Sequence, residues 1–110
     1  MGIFVVSKRF NGGYQFYLKA TNGQIILASE TYSSKSSCLK GIEAVKESSK
    51  IDECFEKKLT NNNKYYFVLK AFNGAIVGSS ELYESSIAID NVIESVRRNA
   101  STASIEDLTL

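Results

Sequence analysis

Tyr14–Glu30 reads YQFYLKATNGQIILASE, and Tyr65–Glu81 reads YYFVLKAFNGAIVGSSE. The two stretches align without a gap at an offset of 51 residues. In each, Tyr, Phe, Leu and Ala alternate with other residues: Tyr14, Phe16, Leu18 and Ala20 fall on one face of an extended chain, Tyr17 and Lys19 on the other. That period of two marks a strand buried on one side. Asn22-Gly23 and Asn73-Gly74 then predict two-residue type I′ turns, whose central residues both need φ > 0. Such a turn sets Leu18 against Leu27, Tyr17 against Ala28 and Ala20 against Ile25, with Ser29 facing Phe16. Pattern and turn therefore agree on one register.

Working outward, each hairpin has the same neighbours. Before the first lies an apolar run, Ile3–Lys8, and a turn at Phe10-Asn11-Gly12-Gly13. Before the second lies Cys54–Lys58 and a turn at Asn61-Asn62-Asn63. After each comes a serine suited to cap a helix, Ser34 and Ser85, because its hydroxyl can accept from a free backbone N–H. Cys38, Leu39, Ile42 and Val45 then recur at helical spacing over Lys35–Ser48, as do Ile89, Val92, Ile93 and Val96 over Ile87–Arg98. The tail, Ile105-Glu106-Asp107-Leu108, falls where Cys54-Phe55-Glu56-Lys57 falls in the first copy, and reads as a final edge strand.

About fifteen of the 36 aligned positions in Tyr14–Ser49 and Tyr65–Ala100 are identical, so the chain is a tandem repeat, cut here as 1–51 and 52–110. One unit of about 50 residues buries too little surface to be safely stable alone. Two units packed about a pseudo-twofold axis solve this as a homodimer would, within one chain. The expected fold is α+β: two β-β-β-α units in one domain, with an antiparallel sheet and helices packed on it.

The strings FYLKATNGQIILASETYSS and FVLKAFNGAIVGSSELYES, with IESVRRNA and a closing IEDLTL, resemble the YegP-like family, small and mostly bacterial proteins of unknown function. The resemblance covers nearly the whole chain. It implies tandem β-β-β-α-β units that exchange their last strands, so that 104–108 pairs within the other half. It implies no activity. This chain departs from the family in its first helix, which lacks the Asn-Ala ending that Asn99-Ala100 keeps.

Composition narrows the function classes. There is no histidine, which removes the commonest general base and metal ligand. Cys38 and Cys54 lack metal or redox spacing and read as two buried thiols. No apolar run approaches a membrane span, and the N-terminus carries neither a signal-peptide core nor a myristoylation pattern. The expected setting is the cytoplasm, with no cofactor and no membrane partner. Net charge is +1, but residues 1–51 carry +4 and residues 52–110 carry −3. That asymmetry could aid docking between halves or between chains.

Candidate binding residues follow from what recurs. Glu30 and Glu81 are candidate paired acids across the axis, against a plainer reading in which each favours a helix start. Tyr32 and Tyr83 offer a surface, or a staple onto the helix that follows. Tyr17, Lys19 and Lys70, with Lys64 and Tyr66, share a basic-aromatic strand face able to stack bases. Near-zero net charge disfavours nucleic acid. The leading expectation is a non-enzymatic binding or interaction module, using an open sheet face or a sheet edge, with a protein partner or self-association. A weak single-strand nucleic-acid binder is the alternative, and an enzyme using Glu30 and Glu81 ranks third.

Overall fold

The protein was examined as a computed structural model, which describes residues 2–110. The chain runs β1 (Ile3–Lys8), β2 (Tyr14–Lys19), β3 (Ile25–Ala28), α1 (Lys35–Ser48), a 3-10 turn at Asp52–Cys54, β4 (Phe55–Leu59), β5 (Tyr65–Lys70), β6 (Ile76–Ser79), α2 (Ser86–Ala100) and β7 (Ser104–Asp107). The seven strands form one sheet in the order β4-β5-β6-β3-β2-β1-β7. All neighbours are antiparallel except β1 and β7, so the sheet is mixed. β4 begins beside β5 of the second hairpin, and β7 lies beside β1 of the first, so the closing strands are exchanged as the family resemblance implies.

The two hairpins meet at the centre, where Ala28 of β3 opposes Ser79 of β6. These residues are 51 positions apart and are therefore each other's counterparts in the repeat. A residue that faces its own copy across an antiparallel pair lies on the twofold axis. One step from it, Leu27 and Gly78 are also counterparts. A Cβ on Gly78 would sit 2.8 Å from Leu27 Cγ, so Leu27 fills the space for both.

Phe4, Val6, Phe16, Leu18, Phe67 and Leu69 point to one face and are buried with both helices in one core. α1 packs on β2 but also on β5 and β6, and α2 packs on β3 and β5. Each helix thus bridges the two halves. Ser34 and Ser85 cap them as expected, their hydroxyls accepting from Ser37 N and Ala88 N, each at 3.1 Å. The helical stripe is buried at Cys38, Ile42 and Val45 and at Ile89, Val92, Ile93 and Val96.

The turns differ from expectation. Gly23 and Gly74 have φ of +87° and +88°, but neither Asn22 nor Asn73 is among the residues with positive φ. Gly23 N donates to Ala20 O and Ala20 N to Gln24 O, with the register slipping between Leu18 and Lys19. This is a three-residue loop closed by a glycine bulge, which needs only one residue at φ > 0. The same bonds recur from Arg9, Thr60 and Ala71, and Asn63, at φ 65°, takes the glycine's place in the third turn. Beyond the slip the expected register holds: Leu18 faces Leu27 and Tyr17 faces Ala28.

Candidate functional site: the helix-free face of the sheet

With both helices on one side, the other side of the sheet carries no layer of structure. Strand pairing defines a row that crosses it: Glu56, Val68, Ser79, Ala28, Tyr17, Val5 and Glu106 stand side by side on seven strands. The row is small at the axis, where Ala28 and Ser79 meet, and larger on either side. Alongside it Lys19 pairs with Ile25, and Lys70 with Ile76, two counterpart pairs. Ile25 and Ile76 remain 39% and 42% exposed, and Ile3, opposite Lys19 on the other side, 39%. Because β3 and β6 pair at a single position, a hollow of about 210 Å³ opens at the seam, bordered by Ile25, Ala28, Ser79 and Glu81 among others.

Charge on this face is largely neutralised. Glu56 Oε1 lies 3.0 Å from Lys58 Nζ and 3.3 Å from Lys70 Nζ. Hydrogen bonds from Lys58 and then Lys70 lower the Glu56 carboxyl below its usual range, and the same bond raises Lys58. Lys64 is drawn away to Glu84. Tyr17 and Tyr66 lie on β2 and β5 with two strands between them, roughly 14 Å apart at the usual strand spacing. The structure therefore places Tyr17, Lys19 and Lys70 on one face but does not build a continuous basic-aromatic track.

The remaining candidates divide. Glu30 and Glu81 are exposed, each two residues beyond the axis pair and in opposite directions. At about 3.3 Å per residue their backbones stand roughly 13 Å apart along the strands. Glu81 borders the hollow; the two carboxylates are not a pair. Nor do they serve helix starts. Each precedes its cap by four residues, and neither helix has an acid in its first turn, beyond which the dipole effect fades. Tyr32, two residues before the cap, packs inward: its ring stacks on Phe16 at 6.2 Å, and its hydroxyl occupies the space beside Gly41 of α1. Burial raises its pKa. At the position equivalent to Gly41 the second helix has Val92, and the hydroxyl of the counterpart Tyr83 accepts from Gln24 Nε2 at 3.5 Å. Burial raises that tyrosine too.

The sequence sets Ser29 opposite Phe16 but does not show what the serine of each Ser-Glu pair does there. Ser29 Oγ accepts from Phe16 N at 3.0 Å and donates to Glu30 O at 2.7 Å. Ser80 repeats this with Phe67 N and Glu81 O. The hydroxyl replaces a ladder bond where the strand leaves register. Cys38 and Cys54 are both free, Cys38 buried and Cys54 half-buried. Among the described residues no group of three or more Cys, Asp or Glu is placed to hold a metal.

A seven-stranded sheet shared by two ββα units, with the closing strands exchanged and one face open, defines a tandem-repeat α+β domain. The family model described as a domain of unknown function, DUF1508, matches twice, at residues 11–56 and 61–107, and the chain belongs to that family. Those bounds begin each unit at a turn; the first ends two residues into β4 and the second takes in β7. The chain is 45% identical to a UPF0339 protein of Shewanella oneidensis, covering 98% of both chains. It is 43% identical to the UPF0339 protein YegP of Escherichia coli, again over 98% of each. Solution NMR structures of UPF0339 proteins from these organisms superpose with TM-scores of 0.93. The Shewanella oneidensis structure is covered over 97% of this chain and 91% of that one, and the Escherichia coli structure over 97% and 92%. The latter is described as a protein of unknown function. Among the described residues no helix is long and apolar enough to cross a membrane.

Proposed function

We propose that this protein is a non-enzymatic binding module that takes a protein partner on the helix-free face of its sheet. The observation that carries this is the face itself: seven strands wide with no helix over it, small residues on the axis, Val5 and Val68 buried among their neighbours, and Ile3, Ile25, Ile76 and Tyr17 reaching the surface. Antiparallel sheets often show one face to water, but such faces are ordinarily polar. Isolated exposed apolar residues need no explanation, whereas several on one face, with Ile25 bordering a hollow, mark an interaction surface. Lys58 and Lys70 are held by Glu56 and Lys64 by Glu84, which weighs against a phosphate backbone as the ligand. The separation of Glu30 and Glu81 weighs against acid–base catalysis by them. Two unpaired cysteines fit a reducing compartment, and the cytoplasm is the setting we infer.

The test is site-directed photocrosslinking in cells. A photoreactive residue replacing Tyr17 should give a discrete protein adduct, abolished by Ala28→Arg on the same face, whereas one at Glu47 on α1 should give none. Adducts of equal yield from both positions would count against the face. Salt-dependent binding of single-stranded oligonucleotides, lost in Tyr17→Ala, would replace this reading with nucleic-acid binding.

A further inference from the structure

The two ends of the sheet are not equivalent, and the difference identifies a second surface. β1 and β4 are counterparts in the repeat, each pairing antiparallel with the first strand of its hairpin. The outer edge of β1 is occupied by β7, which runs parallel to it from Ile3↔Ser104 to Val6↔Asp107. Among the described residues no strand lies beside the outer edge of β4. One half of the molecule therefore shows, filled, the seat that the other half leaves empty.

The filled seat shows what holds a strand there. Ile105 and Asp107 of β7 oppose Phe4 and Val6, whose side chains point to the helix side. Ile105 lies by Leu39 and Glu43 of α1, and Asp107 Oδ2 meets Lys35 Nζ at 2.5 Å. The strand is thus matched to its helix, an acidic strand against a helix that offers Lys35 and Lys40.

At the empty seat the helix has changed sign. The counterparts of Lys35, Leu39, Lys40 and Glu43 are Ser86, Asp90, Asn91 and Glu94. A cleft of about 390 Å³ runs between β4 and α2, bordered by Asp52, Phe55, Lys57, Asp90, Glu94 and Arg97. Its two cations are already engaged. Lys57 meets Asp90 at 2.5 Å, and Arg97 meets Asp52 at 2.7 Å and Glu94 at 3.6 Å and lies over the Phe55 ring. The two cations are shared among the three acids Asp52, Asp90 and Glu94, so the cleft keeps an excess of negative charge. Arg97 Nε is nevertheless buried with no hydrogen-bond partner among the described residues. Edge lysines ordinarily repel an incoming strand, but Lys58 too is held, by Glu56.

We propose that the outer edge of β4 is a binding site for an extended segment of a partner protein. The segment lies parallel to β4 and carries lysine or arginine on its helix-facing positions. Main-chain bonds to the free edge of β4 supply the attachment, and Asp90 and Glu94 select the charge. A second copy's tail is the wrong occupant, because in the same register Asp107 would meet these same acids and Glu106 would meet Glu56 on the other face. A second copy's β4 is also disfavoured, since antiparallel pairing would set Lys57 against Lys57.

The test uses the full chain, isotopically labelled, and three acetylated, amidated octapeptides. The first alternates threonine with lysine, the second alternates threonine with glutamate, and the third is the lysine peptide with alternate backbone amides N-methylated. The lysine peptide should shift the amide signals of β4 and the Asp90–Arg97 segment and bind at least tenfold more tightly than the glutamate peptide. N-methylation should abolish binding, since it removes the ladder bonds and keeps the charge. The double substitution D90K/E94K should invert the preference, an outcome that lost folding cannot imitate. Equal binding of the N-methylated peptide, shifts confined to other strands, or β4 shifts that follow protein concentration without peptide would each overturn the proposal.

Discussion

Leu27 and Gly78 are the same position in two copies of one repeat, and they cannot both be leucine. Both lie one step from the axis on the core side, where one leucine fills the room available to two. Gly78→Leu should therefore destabilise the protein by roughly 1–3 kcal/mol through overpacking. Adding Leu27→Gly to it moves the leucine to the opposite side of the axis and should recover most of the loss. Urea denaturation of the two variants decides this; a double variant no better than the single one would show that the glycine is needed for some other reason. At this scale the sequence was legible where a residue acts alone. Phe16, Leu18, Phe67 and Leu69 announce themselves by alternation and are fully buried. Asn22-Gly23 announced a turn but not its type, because a glycine bulge and a type I′ turn both favour glycine at that point. The choice is made by the slip between Leu18 and Lys19, which alternation does not encode. The roles of Ser29 and Ser80 were hidden for a related reason: a hydroxyl substituting for a ladder bond requires knowing where the ladder breaks.

Among the elements, β7 is the one most exposed to its surroundings. It is four residues long, on an edge, and tied by the Asp107–Lys35 pair and by Leu108 N donating to Val6 O at 2.9 Å. Hydrogen bonds from Lys35 and from Thr109 depress the Asp107 carboxyl from the ordinary 3.8 to about 2. A carboxyl depressed in the folded state contributes stability above its unfolded value and loses it as the pH falls. The contribution is therefore fully present above 3.8 and disappears on the way down to about 2. Amide exchange at Leu108 should accelerate across that window in the native protein, and Asp107→Asn should be fast throughout with no such step. Parallel pH profiles for the two proteins would mean that β7 is held by its ladder alone. The existence of β7 was legible from the match of Ile105–Leu108 to Cys54–Lys57. Its parallel direction was not, because direction depends on where α2 delivers the chain. The empty seat beside β4 was hidden for the same reason, since only the assembled sheet shows one edge filled and the other open.

For the molecule as a whole, the crossing of the helices matters more than the count of strands. α1, from the first half, rests on β5 and β6 of the second, and α2 rests on β3 of the first. Neither half can lose its packing without uncovering the other. Phe67, fully buried and edge-on to Phe55 at 5.6 Å, tests this. Phe67→Ala should cost roughly 3–5 kcal/mol in a single transition, with amide protection falling in β2 and α1 as much as in β5. A loss under about 1 kcal/mol, or two separable transitions, would show the halves to be independent. The pseudo-dimeric plan was legible because the repeat is nearly gapless, whereas the axis at Ala28 and Ser79 emerged only when the strands were paired.

The adjacency of β1 and β7 also governs how the protein bears load. These are the first and last strands of the described chain, and they lie side by side and parallel. Tension applied through the two termini pulls β1 backward by its start and β7 forward by its end. The bonds between them are then sheared together along the strand axis instead of being unzipped one after another. The short, acid-sensitive strand at the edge thereby becomes the clasp of the whole fold under traction, and it must slip before any force reaches the core.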